Sequence, residues 1–290
     1  MNRRNMIKTA ALGAAALGAG GCSSASRRKT VIPNKPKVEP REMAYRPLGK
    51  TGITVSLLGF GSHLTAENIK NPKGRNRQIQ EAIENGITIF DIYDHGSYRQ
   101  FEPMSKSLDG KRQKVVISLV TVQPDIRKEV EETLRTFNTD YIDCYRAVYR
   151  DPSPYMKDDE GLEILFKLRE EGKIRAAGVV AHNEPGLLHA VRNHPVDYIM
   201  MPINFHHNKS WTVDSRDSYS TVIPLCREKG VGILGIKPMG GDPMVAFAQH
   251  IGLLSPEYRG PSYPQAALRY LWQNRDISSS FPSMNSIGEL

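Results

Sequence analysis

The sequence predicts an α/β fold, a single (β/α)8 barrel of the TIM type, and three observations predict it. The chain has 290 residues, 39% hydrophobic and 24% charged, the make-up of one large globular domain rather than a disordered or fibrous chain. From Tyr45 onward, short apolar runs alternate with longer amphipathic ones, as strands and helices alternate in a parallel barrel. The apolar runs number eight, the count that closes such a barrel.

In order, the predicted strands are 57–61, 88–91, 115–120, 141–148, 174–180, 198–202, 232–236 and 278–281. Predicted helices between them include 126–137, 161–171, 184–193 and 220–229, several of which end in Lys or Arg followed by Gly, the residues of a helix stop. Of the three cysteines, Cys144 falls in a strand and Cys226 in a helix, which reads as two packed thiols; no CxxC spacing points to a metal.

The formal charge of +8 is unevenly placed: residues 1–41 carry nine Lys or Arg against Glu39 alone, so the rest of the chain is formally neutral. That excludes the broad positive surface that nucleic acid backbones select. The basic segment reads instead as an address. Residues 2–8, NRRNMIK, resemble a twin-arginine export signal, followed by a short apolar run over 9–21 that falls below the roughly 20 residues of a membrane-spanning helix. Cys22 follows Ala19, Gly20 and Gly21 and resembles a lipoprotein cleavage site, without the large aliphatic residue three places before the cysteine. Residues 1–22 are thus assigned to a signal peptide, 23–43 to a flexible Ser, Lys, Arg and Pro-containing linker, and 44–290 to the barrel. The expected partner is the twin-arginine machinery. The expected location is outside the cytoplasm, periplasmic or held at a membrane only by lipid on Cys22.

The opening of the barrel, YRPLGKTGITVSLLGFGS over 45–62, resembles the start of the aldo/keto reductases, and the resemblance runs from there to the C-terminus. It implies NADP(H) as cofactor and a small carbonyl or sugar-like polyol as substrate. In that family an Asp ends the second strand, a Tyr follows in the next loop, a Lys ends the third strand and a His the fourth. The Tyr gives its proton to the carbonyl oxygen. A phenol near pKa 10 needs the Lys cation, held by the Asp, to become competent at neutral pH.

By this resemblance Asp91 in TIFDIYDHGSY takes the Asp position. Gly96 stands at the Tyr position, with Tyr93 and Tyr98 two and seven residues after Asp91, and a shifted loop would bring in Tyr98. Val120 and Val148 stand at the Lys and His positions. Arg146 shares parity with Val148 and points inward about 6.6 Å below it. An Asp91–Arg146 pair is expected there, either replacing the missing Lys cation or serving as a structural ion pair.

On the cofactor side, Val180 and Ala181 replace the family's Ser and Asn after the fifth strand, leaving His182 or Asn183 as donors to the nicotinamide amide. Asn204 matches an amide after the sixth strand. Lys237, Pro238, Met239 and Gly240, in KPMGG, resemble the loop along the pyrophosphate. Ser283, Met284 and Asn285 fall on the segment that meets the 2'-phosphate, and the family's helix beyond it is truncated at Leu290. Two other functions compete with the reductase. One is a barrel that binds without turnover. The other is a metal-dependent hydrolase using His63, Asp91, His182 and His206 or His207 at the barrel top.

Overall fold

A computed structural model describes residues 42–62, 71–93, 100–121, 124–149, 158–204, 219–240 and 262–290. The unit Arg41–Leu290 holds all of them. The signal, Cys22 and nearly all of the linker fall outside the described residues.

The first described elements are a hairpin that the apolar pattern did not predict, Tyr45–Pro47 (β1) paired antiparallel with Thr54–Ser56 (β2). Its turn needs glycine at Gly49, where φ is 54° and a Cβ would lie 2.4 Å from the Gly232 nitrogen. That close approach seats Leu48, fully buried, against the start of a barrel strand. The hairpin is stapled there by Lys50 N–H donating to the Gly230 carbonyl and by the Arg46 guanidinium donating to the carbonyls of Trp272, Asn274 and Ile277. Leu48, Ile53 and Val55 join the apolar cluster of the barrel interior.

Eight parallel strands follow: Phe60–Gly61 (β3), Ile89–Ile92 (β4), Val116–Val120 (β5), Ile142–Val148 (β6), Ile174–Val180 (β7), Tyr198–Pro202 (β8), Gly232–Ile236 (β9) and Ile277–Phe281 (β10). Each pairs with the next, and parallel bridges Leu58–Ser280 and Gly61–Ser283 carry the sheet from β10 back to β3. The predicted (β/α)8 TIM barrel is the observed fold; seven strands have ends within one residue of those expected, and β3 starts at Phe60, three residues later than 57.

Among the described residues, the surrounding helices are Pro72–Glu84 (α1), Phe101–Leu108 (α2), Ile126–Phe137 (α3), Asp158–Glu170 (α4), Glu184–Asn193 (α5), Val222–Lys229 (α6) and Tyr263–Leu271 (α7). The expected spans 126–137 and 184–193 match, α4 starts three residues earlier than 161, and α6 starts two later than 220. Helix α1 escaped the periodicity because only Ile79, Ala82 and Ile83 give its core face any apolar character. Its start was nonetheless written locally: Asn71 Oδ1 accepts the Gly74 N–H at 3.0 Å, with Pro72 in the first helical position. Helix α7 carries a capping box between Ser262 and Gln265.

Two apolar layers result. One fills the space between sheet and helices; the other fills the barrel with Ile89, Val116, Val120, Cys144, Ala176, Val180, Leu234 and Phe281. Cys144 and Cys226 are both buried free thiols, and burial pushes both up, Cys226 to about 12. Among the described residues no helix is long and apolar enough to cross a membrane.

Candidate active site

Period two on three adjacent strands sets the polar part of the barrel interior. Asp91 on β4 lies opposite Ser118 on β5, and Val120 opposite Arg146 on β6. The two side chains expected to pair are in contact, and the contact is a fork. Arg146 Nη1 donates to Asp91 Oδ1 at 2.7 Å and Nη2 to Oδ2 at 3.2 Å. Ser118 joins them: its hydroxyl donates to Asp91 Oδ1 at 3.0 Å and accepts from Arg146 Nη1 at 2.9 Å. Sequence reading passed over Ser118, although the parity that placed Arg146 inward would have found it.

Both partners are fully buried. Burial, the largest single influence, works to lower the Arg146 pKa, but the Asp91 carboxylate with the Tyr93 and Tyr198 oxygens outweighs it, and the guanidinium is held above its ordinary value. Its Nε is buried without a hydrogen-bond partner. Tyr93 stands two residues beyond Asp91 with its ring centroid 5.5 Å from the Arg146 Cζ, a cation–π contact toward the barrel mouth. Burial, and then the Asp91 charge, push the Tyr93 phenol well above its usual range. On the other side Gly178 is in register with both Arg146 and Tyr198. A Cβ there would fall 2.6 Å from the Tyr198 ring, so glycine makes the room for that tyrosine in the barrel. Val120, Val148 and Val180 line the same interior beyond this polar layer. Tyr98 lies outside the described residues, in 94–99.

The loop after β9 closes in a tight turn. Lys237 takes φ 53°, uncommon for a residue with a side chain, and Gly240 takes φ 76° and donates its N–H to the Lys237 carbonyl at 2.9 Å. Tyr263 on α7 fixes the turn by donating to the Met239 carbonyl at 2.9 Å. Lys237 is half-buried, and burial lowers its pKa. A half-buried cation in a turn that requires glycine fits a bound diphosphate. Asn204 is buried just past β8.

The other expected cofactor contacts are His182, Asn183, Ser283, Met284 and Asn285. Asn183 Oδ1 caps α5 by accepting the Gly186 N–H at 2.9 Å. His182 is exposed, and its carbonyl lies 3.4 Å from the Tyr219 hydroxyl. The Met284 side chain is buried in the core, and its carbonyl accepts from Arg75 Nη1 at 2.8 Å and Gln78 Nε2 at 3.0 Å. Met284 therefore anchors the last segment from behind, because an apolar side chain there gains more from the core than from solvent. Ser283 is exposed beside β3. Gly61 allows that approach, since a Cβ would lie 2.6 Å from the Pro282 carbonyl oxygen. Asn285 N–H donates to the Glu289 carboxylate at 2.6 Å.

A metal at the barrel top would compete for Asp91, whose two oxygens are already forked to Arg146. His63, His206 and His207 lie outside the described residues. Among the described residues, the group of three side chains with metal-ligating atoms close together lies elsewhere, at Asp159, His189 and His194.

Barrel, closing bridges and polar interior together define a class of protein that comparison makes specific. The sequence model of the aldo/keto reductase family matches residues 57–250, and the chain belongs to that family. It is 28% identical over 212 residues to "Probable aldo-keto reductase 1" of Glycine max, a match covering 67% of this chain and 58% of the relative. It is 23% identical over 285 residues to "L-galactose dehydrogenase" of Arabidopsis thaliana, covering 86% of each. The chain thus spans little more than half of the Glycine max relative. Its fold is similar to that of the holo form of aldo-keto reductase AKR11C1 from Bacillus halodurans, with a TM-score of 0.64, 23% identity, and coverage of 85% of this chain and 88% of that one.

Proposed function

We propose that the chain is an oxidoreductase of aldo/keto reductase type that uses NADP(H) on a carbonyl or sugar-like polyol, with an altered catalytic set. The observation that carries this reading is the buried fork between Arg146 and Asp91, which supplies a fixed cation beneath the barrel mouth where Val120 and Val148 supply none. A sugar-like substrate is in keeping with the name of the Arabidopsis thaliana relative.

When bound, the nicotinamide cofactor supplies or accepts the hydride. The chain's own residues bind, orient and manage the proton. Lys237 and the Gly240 turn hold the diphosphate, Asn204 faces the nicotinamide end, and Ser283 and Asn285 meet the 2'-phosphate in competition with Glu289. Arg146 is a positioning residue, since it is fully buried and reaches no substrate. Its charge favours negative charge developing on a carbonyl oxygen at the mouth. Tyr93 keeps its proton throughout the neutral range, which makes it a hydrogen-bond donor to that oxygen, while Tyr98 is the second phenol for the acid role. The twin-arginine-like segment supports export in a folded, cofactor-loaded state, with or without lipid on Cys22.

One specific observation favours a second reading, a barrel that binds nucleotide without turnover: valine occupies two positions where the family's chemistry needs a cation and an imidazole. An NADPH fluorescence titration, followed by a carbonyl screen for NADPH oxidation, separates the two. Saturable micromolar binding with oxidation that Asp91→Asn abolishes is the expected result, and comparing Tyr93→Phe with Tyr98→Phe assigns the acid. Binding without oxidation of any carbonyl selects the second reading. No binding up to millimolar NADPH overturns both.

A further inference from the structure

We propose that Asp159, His189 and His194 form a binding site for a divalent transition-metal ion of the zinc class, on the outer helical layer and apart from the barrel interior. Asp159 lies in the first turn of α4, His189 within α5, and His194 just past its end. Five residues apart on one helix, the two imidazoles would point about 140° away from each other. They converge because His194 leaves the helix with φ −129° and ψ 152°, an extended conformation that the following Pro195 favours.

Both Nε2 atoms reach the same carboxylate oxygen: His194 Nε2 is 2.9 Å and His189 Nε2 3.5 Å from Asp159 Oδ1. Ligands about 2.0–2.1 Å from a tetrahedral zinc lie about 3.3 Å apart, between the two observed separations. Two imidazoles and one carboxylate suit zinc, nickel or copper rather than magnesium or calcium. The ring planes are already set, His189 by stacking on Tyr149 at 5.9 Å between centroids and His194 by Phe166 at 6.4 Å. Tyr149 donates its hydroxyl to this same Asp159 Oδ1 and fixes the carboxylate, leaving Oδ2 as the oxygen that can turn to an ion. Asn193 Nδ2 lies 3.2 Å from His189 Nδ1 and donates to the His189 carbonyl at 3.0 Å, which holds that side chain beside the ring. His194 is largely buried, whereas Asp159 and His189 are about half exposed, so an ion can enter from solvent and water can complete its shell. The bound ion would clamp α4 to the end of α5 without touching the proposed reductase site.

The test is a Zn2+ titration by calorimetry of the full chain, without a histidine tag and stripped with chelator, together with the visible spectrum on Co2+ addition. One equivalent bound with micromolar or tighter affinity, tetrahedral Co2+ absorption and a raised melting temperature are expected. His194→Ala and His189→Gln should each weaken binding at least ~10-fold. The exposed Asp159→Asn variant should do the same without disturbing the fold, as circular dichroism would verify. No saturable Zn2+ heat up to millimolar overturns the proposal, and so does affinity unchanged in all three variants. NADPH binding should be the same with and without zinc, so failure of this site and failure of the reductase reading are separate results.

Discussion

Inside the barrel, Arg146 meets a carboxylate through both Nη atoms, whereas Arg75, beneath the last described segment, meets among the described residues the neutral oxygens of Gln78 and Met284. Both side chains are buried. The consequences run in opposite directions: the Asp91 charge carries the Arg146 pKa above its usual value, while burial lowers that of Arg75 to about 10. Arg75 also leaves Nε and Nη2 buried without partners and rests on the Phe60 ring at 4.6 Å. A buried guanidinium therefore has no fixed worth. Paired, it is a stable source of charge for a site; unpaired, it is an anchor that trades solvation for two hydrogen bonds, one to Gln78 on its own helix and one to the chain end at Met284.

The largest effect should come from turning Arg146 into a second unpaired arginine. Asp91→Asn is expected to cost about 3–5 kcal/mol in urea unfolding and to abolish NADPH oxidation. Combining Asp91→Leu with Arg146→Met should recover much of that stability and none of the activity. Activity surviving in the double variant would reduce the fork to a structural pair.

A smaller loss is expected from Gly178→Ala, which drives a methyl group against the Tyr198 ring and its carbonyl beside Arg146. About 1–3 kcal/mol should be lost on thermal unfolding. An unaffected protein would mean that the layer around the fork yields more easily than its packing implies.

Arg75→Met sharpens the contrast from the other side. Removing an unpaired guanidinium should change stability by less than ~1 kcal/mol, while freeing the Met284 segment and weakening NADPH binding several-fold in the fluorescence titration. A loss as large as that of Asp91→Asn would end the distinction between the two arginines.

The smallest effect is reserved for the same fork at the surface. Arg127 donates to both oxygens of Glu171, and hydrogen bonds from Arg127 bring the Glu171 pKa down to about 2. A depressed carboxylate stabilises above its unfolded pKa near 4.3, and that contribution fades as pH falls toward about 2. Glu171→Gln should therefore lower the melting temperature at pH 7 by about 1 °C and leave no difference near pH 2. A larger change would mean that exposure matters less to these forks than the contrast with Arg146 requires.

Much of the fold was legible because its signals are local and repeated. Eight apolar runs of strand length appear where β3 to β10 lie, and Lys or Arg before Gly stops helices such as α6. The β1–β2 hairpin and α1 were not legible by periodicity, because Leu48 and Ile53 are buried by a distant strand end and α1 has few apolar residues to reveal its face. In the site, family likeness pointed to Asp91, Asn204 and the Lys237–Gly240 turn, and strand parity turned Arg146 inward. The bridging role of Ser118, the contact of Tyr93 with Arg146 and the buried role of Met284 came from neighbouring elements.

By itself the sequence determined the order of the strands, the family and the inward parity of Arg146, since each is a matter of residue type and spacing along one chain. Only the tertiary structure decided that Asp91 accepts both Nη atoms of Arg146, that Arg75 meets no acid among the described residues, and that Pro195 brings His194 back to His189 and Asp159. These depend on which side chains distant in sequence share a few ångströms of space, where hydrogen bonding and Coulomb energy change steeply with distance and burial.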